Sequence, residues 1–260
     1  MPRASRLFWA IALAVPLLSA HAQPHADRHS QLTILADTSL AIPLRQAAKA
    51  YAQYEQQVVT VIVDAPSRLS ARVSEGLAAD LVITADDATK ENLKLRGERD
   101  EFASRDVYLD PLVLVSSAES FGLAPRTGEV WQHLLSANGE VATFFLYAPK
   151  GDSRMRRINR AVPHAGFDPA PEIQTRTTLE SVANALEKHS GFSVLPASLA
   201  RQHSQQFRVV STLPLNRSTP HYFAAVLAGE QMHEARKFVT FLEQDLTQHF
   251  FREAGFSPVN

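Results

Sequence analysis

Four hydroxyl residues stand where an apolar, strand-like run gives way to a helical pattern: Ser39, Ser67, Ser153 and Thr178. A helix N-terminus presents unpaired backbone N–H groups and the positive end of the macrodipole. A hydroxyl placed there either caps its own helix or helps to hold a bound oxyanion. Alone, each reads as a cap. Together they fall at the carboxyl ends of strands, the side on which an open α/β sheet forms its ligand crevice, and they would bind a small anion through neutral donors. Arg154 and Arg176 lie beside two of these junctions. Either could add a charged, bidentate partner for an anion.

Other chemistries have less support. No Gly-x-Ser-x-Gly elbow, His-Glu-x-x-His, Gly-x-x-x-x-Gly-Lys loop or Gly-x-Gly-x-x-Gly after a strand is present, so no hydrolase, zincin, nucleotide or dinucleotide signature is met. The ten histidines are scattered, and the chain has no cysteine. No metal cation site and no cofactor is expected. Asp86 and Asp87 read as helix-capping acids, since sequence neighbours point apart. The chain is therefore read as a non-enzyme, with a serine hydrolase acting through Ser39 or Ser67 as the contrasting class.

The elements that must position these residues alternate along the chain. Within 32–40 a short apolar strand runs straight into Ser39, followed by a helical stripe of Leu40, Leu44, Ala47, Ala48, Tyr51 and Tyr54 whose first turn Pro43 should make irregular. A strand over 58–63 leads through Pro66-Ser67 into a second helix. A buried strand in the run 79–86, bounded by acids, leads into a third. A strand over 109–115 and the turn-rich 116–128 carry the chain into a second α/β block, with a helix around 130–135, a strand over 141–147, the junctions at Ser153 and Thr178, and a strand over 191–195. A strand over 222–227 and one long helix over 235–251 close the chain. Alternation of this kind predicts an α/β fold with mainly parallel sheets and helices on both faces.

At the N-terminus, Arg3 and Arg6 precede an apolar run over 7–18 and the small-x-small pattern Ala20-His21-Ala22. This predicts a secretory signal peptide, 1–22, cleaved after Ala22. Its apolar core is shorter than the ~20 residues that span a bilayer, so no membrane insertion is expected after cleavage. Residues 23–30 are polar and read as a disordered leader. The formal charge of −1 gives no reason to expect nucleic acid as a partner. A periplasmic monomer without disulfides fits these features.

Ala36-Asp37-Thr38-Ser39-Leu40, the stretch Glu75 to Asp86 with its Ala79-Asp80-Leu81-Val82-Ile83-Thr84-Ala85-Asp86, and the ending Phe251-Arg252-Glu253-Ala254-Gly255-Phe256 resemble the periplasmic molybdate-binding family, a branch of the type 2 solute-binding proteins of ABC transporters. The resemblance implies a two-lobed fold with a ligand cleft between the lobes. Lobe I would take 31–112 plus 221–260 and lobe II 113–220. It further implies capture of a small oxyanion of the molybdate or tungstate kind by neutral donors, Ser39 matching the family's first hydroxyl donor, for delivery to an inner-membrane ABC permease; the junctions themselves add Ser67 on that lobe and Ser153 and Thr178 on the other. The chain departs from the family pattern at Pro66, which stands opposite a binding serine, and near Val194, where a tyrosine is usual. Those departures, with Arg154 and Arg176, make a receptor for a small organic carboxylate or phosphonate the alternative to the molybdate-like one.

Overall fold

A computed structural model describes residues 31–76, 78–96, 104–119, 143–164, 171–189, 191–213 and 217–259. The expected signal peptide, the leader and the helix around 130–135 lie outside these residues. In chain order the first elements are β1 (Leu32–Asp37), α1 (Ala41–Glu55), β2 (Val59–Asp64), α2 (Pro66–Ser74), β3 (Leu81–Thr84), α3 (Asp87–Arg96) and β4 (Arg105–Leu109). Then follow β5 (Leu112–Ser117), β6 (Thr143–Tyr147), α4 (Ser153–Ala161), β7 (Glu172–Arg176), α5 (Leu179–Lys188), β8 (Ser193–Pro196), α6 (Ala197–Gln202) and β9 (Phe207–Thr212). β10 (His221–Val226), α7 (Met232–Phe241), α8 (Asp245–Glu253) and β11 (Ser257–Pro258) end the chain.

The first lobe is a six-stranded sheet in the order β11-β4-β10-β3-β1-β2. β1 pairs in parallel with β2 and β3, placing Leu32 opposite Val59 and Ile34 opposite Leu81. Helices cover both faces of β1, and its run of apolar residues is accordingly buried. α1 turns Leu44, Ala47, Ala48 and Tyr51 inward, and Tyr51 meets Phe238 and Phe241 edge-on at 5.1 and 5.2 Å. As the sequence predicts, the start of α1 is irregular: a 3-10 turn, Thr38–Leu40, precedes it, and Pro43 falls where an amide would have had no intrahelical partner.

The second lobe has its own core, built around Leu114, Phe144, Phe145, Ile158, Val182 and Leu195. β5 lies between β8 and β9, and β6 pairs with β7. The chain crosses between lobes twice, at Asp110-Pro111 after β4 and again before β10. The two crossings touch, with the Asp110 amide donating to the Pro220 carbonyl at 3.0 Å. They also make the sheets mixed rather than mainly parallel. β–α–β units run parallel, but β10 returns against β3 and β4 in the opposite sense, and β5 opposes both β8 and β9.

The closing helix is two helices. α7 and α8 meet around Leu242–Gln244, where the Thr247 hydroxyl donates to the carbonyls of Phe241 and Gln244 at 2.6 and 2.8 Å and satisfies the interrupted ladder. The break keeps Phe238 and Phe251 in one core, which a straight helix with the same apolar spacing would not need.

Candidate functional site

Three of the four junction hydroxyls sit one or two positions past the cap. The Asp37 side chain caps the 3-10 turn by accepting from the Ser39 amide at 3.2 Å. Asp152 caps α4 by accepting from the Met155 amide at 3.1 Å. Ala65 precedes α2, whose first residue is Pro66, with Ser67 second. Pro is well suited to that position because its fixed φ is helical and no amide is needed there. Only Thr178 is a cap itself, accepting from the Ser181 amide at 3.1 Å.

Freed from capping, Ser39 and Ser67 line a narrow cleft of about 280 Å³ together with Asp37, Lys150, Asp152 and Arg154. Ligand clefts usually span ~300–1,000 Å³, so this one suits a tetrahedral anion or an acid of a few carbons. A larger open groove of about 610 Å³ runs beside α2, but it holds none of the junction hydroxyls, and its Arg72 is paired with Asp64. Gly151, at φ +80°, stands between the cleft residues Lys150 and Asp152. A Cβ there would lie 3.0 Å from the Ser67 Cβ, so only glycine lets the two lobes approach at that point.

At the floor of the cleft is a chain of polar contacts between lobes. Arg154, on α4, is almost fully buried. Its Nη1 donates to the Tyr222 hydroxyl at 2.6 Å, while Nη2 and Nε reach the two Asp152 carboxylate oxygens at 3.0 and 3.3 Å. Ser39 Oγ lies 2.7 Å from the Tyr222 hydroxyl and donates to Asp37 Oδ1 at 3.0 Å. The arrangement has one consistent donor sense: Arg154 to Tyr222, Tyr222 to Ser39, Ser39 to Asp37. Asp37 Oδ2 is 3.2 Å from Arg154 Nη1 yet receives no aligned hydrogen bond.

The electrostatics follow from burial and pairing. Burial pushes the Asp37 carboxyl above its usual range, and Arg154 only partly offsets this. Burial also works against the Arg154 charge, but Asp37, Tyr222 and Asp152 together outweigh it and raise its pKa further. For Asp152 burial is outweighed by Arg154 and by backbone donors, and its pKa is lowered. Behind the cleft, Asp110 is fully buried at the first crossing and accepts from the Ser198 amide and hydroxyl. Burial pushes its pKa up to about 6.

The remaining expected residues lie elsewhere. Ser153 does not line the cleft: its hydroxyl donates across the lobes to Asp86 at 2.7 Å. Asp86 also caps α3 through the Thr89 amide at 2.8 Å. Arg157 reaches Asp87 close by. Thr178 is exposed at the start of α5. Arg176 is held by Gln174 and the Thr175 carbonyl, with its guanidinium 5.4 Å from the Phe145 ring centre. Val194 is buried in β8 opposite Leu114. Asp37, Asp152 and Lys150 in the cleft lining, and Tyr222 buried behind it, had no place among the residues expected from the sequence. Asp37 had a signal, standing where the molybdate-binding pattern has alanine. Tyr222 had none, because only the return crossing brings it to Ser39.

The family comparison decides what this two-lobed α/β chain is: the model for bacterial extracellular solute-binding proteins matches residues 32–257. The chain belongs to that family. Its fold is shared with an ABC-transporter substrate-binding domain from Clostridium difficile, at TM-score 0.72 and 19% identity over 88% of this chain and 99% of that one. It is shared too with the periplasmic molybdate-binding protein of Azotobacter vinelandii, at 0.61 and 12% over 88% and 100%. The tungstate-binding protein of Desulfovibrio alaskensis G20 is similar at 0.64 and 13% over 88% and 98%. None of the curated proteins matches this solute-binding protein in sequence. Among its described residues, no helix is long and apolar enough to cross a membrane, and no cluster of three or more His, Asp or Glu could hold a metal ion.

Proposed function

We propose that this protein is a periplasmic receptor that captures a small oxyanion, of the size of molybdate or tungstate, and hands it to an inner-membrane ABC permease. The observation that carries this reading is the meeting of two hydroxyls, Ser39 and Ser67, from consecutive β-to-α junctions of one lobe, with Arg154 from the facing lobe in a single small cleft. The structural relatives named for molybdate and tungstate support it. The receptor performs no covalent chemistry: the lobes close on the anion and open at the permease. A small organic carboxylate or phosphonate is the second reading, favoured by the guanidinium in the wall, since planar bidentate pairing suits such groups.

Thermal shift in the presence of molybdate, tungstate, sulfate, phosphate and small carboxylates tests the reading. A ligand at a hundred times its Kd stabilises the folded state by about 2.7 kcal/mol, which for a chain of this size raises Tm by roughly 5–11 °C. Ser39→Ala and Ser67→Ala should each reduce that shift. A flat response to every anion would overturn the assignment.

A further inference from the structure

Resting on the second reading above, we propose that the ligand is a small monocarboxylate with an apolar body, its charge met by Lys150 and Ser67 and its body laid against the apolar wall of the second lobe.

Two observations lead to this. The first is which donors of the cleft remain uncommitted. Arg154 is engaged with Asp37, Asp152 and Tyr222, the Ser39 hydroxyl with Asp37, and the Gln202 side-chain amide with the Ser39 carbonyl at 3.0 Å. The Arg154 charge is thus already balanced by acids of the same cleft. Lys150 and Ser67 also line it, and among the described residues neither side chain has a hydrogen bond or ion pair. Lys150 is exposed, and Gly151, the next residue, lies against the Ser67 side chain, so a carboxylate at the opening reaches both. One free cation matches one negative charge. A dianion would carry a second charge, unpaired, into a cleft that already holds Asp37 and Asp152.

The second observation is the wall. Pro66, Tyr147, Pro149, Met155, Pro196 and Leu199 line the same cleft, and all but Pro66 come from the second lobe. An inorganic oxyanion is polar on every side, so against these groups it gives up water and gains no hydrogen bond. It also leaves space. At ~30 Å³ of liquid per water, the cleft of about 280 Å³ holds about nine water-sized atoms, and a five-atom oxyanion fills about half of it. A hydrocarbon body of about five carbons behind the carboxylate fills the remainder and takes the apolar wall out of water.

Isothermal titration calorimetry on the mature chain with acetate, butyrate, hexanoate and octanoate, against molybdate and sulfate, tests this. Affinity is expected to rise about fourfold per buried methylene and to level off between hexanoate and octanoate, with both oxyanions weaker than hexanoate. Leu199→Asn, at a half-buried position of the wall, should flatten that rise. Lys150→Met should weaken every acid about tenfold while keeping the rise. Hexanoate bound no more tightly than acetate, or either oxyanion bound more tightly than every acid, would overturn the apolar body and leave the anion receptor standing. Hexanoate bound by Lys150→Met as tightly as by the wild type would overturn the placement of the carboxylate. No anion of either kind bound by the wild type would overturn the receptor reading itself.

Discussion

Replacing Arg154 with methionine removes the guanidinium while keeping most of the packing volume. In the native cleft that guanidinium is within 3.2 Å of Asp37 and 3.0 Å of Asp152, and no solvent reaches Asp37. Its loss leaves two carboxylates in a poorly solvated space. Breaking a buried pair in this way costs about 3–5 kcal/mol. Protonation sets a ceiling on the cost for each carboxylate: neutralising one of ordinary pKa takes about 4 kcal/mol at pH 7 but only about 1.5 kcal/mol at pH 5, at ~1.36 kcal/mol per unit. The variant should therefore lose about 3–5 kcal/mol at pH 7, a fall in Tm of roughly 6–20 °C, and markedly less at pH 5. Urea unfolding followed by circular dichroism at the two pH values measures both numbers. Adding Asp37→Asn removes one of the stranded charges and should recover about half of the neutral-pH loss, a coupling that a double-mutant cycle isolates. A loss below about 1 kcal/mol at pH 7, or the same loss at pH 5, would refute the account of Arg154 as the buried counter-ion of the cleft.

Asp110→Asn should flatten part of the pH dependence of stability. With a folded pKa of about 6 above its unfolded value, Asp110 favours the folded state fully below about pH 4 and loses that contribution as pH rises through 6. The loss is about 3 kcal/mol, seen as a difference between wild-type and variant urea midpoints from pH 4 to 7. Gln56 ends α1 at φ 54°, a left-handed position that costs a side-chain residue ~1–2 kcal/mol. Gln56→Gly should stabilise the protein by about 1 kcal/mol in urea unfolding without altering anion binding. Gly151→Ala should do the reverse, destabilising by about 1–2 kcal/mol and weakening anion affinity, since its methyl group would press on Ser67. Calorimetry on that variant reads the second effect.

The alternation of apolar strands and amphipathic helices is local information, and it sufficed for the α/β class, for β1 to α3 of the first lobe and for the junctions where a ligand could bind; the one strand expected over 109–115 is two, β4 and β5, on either side of the crossing at Asp110-Pro111. Ser39 and Ser67 were legible because a hydroxyl after a strand has few uses, and both line the cleft. Which atom caps each helix was not legible. Asp37 and Asp152 compete with the neighbouring serines for that role, and a difference of one position sends a side chain to the backbone or to the cleft. The split between α7 and α8 was hidden for a related reason, since the apolar spacing continues through a break that only Thr247 and the core reveal.

Tertiary structure decided the chemistry of the cleft. Arg154, Asp37 and Tyr222 are separated by more than a hundred residues in one case and nearly two hundred in another, and they meet because the chain crosses between lobes twice. Sequence periodicity specifies which face of an element is buried, not which distant polar group it will meet there. The sequence by itself determined a two-lobed receptor architecture with hydroxyls at its junctions. The packing of one lobe against the other turned those hydroxyls into an ionic site, because burial makes each charge depend on partners that no local pattern records.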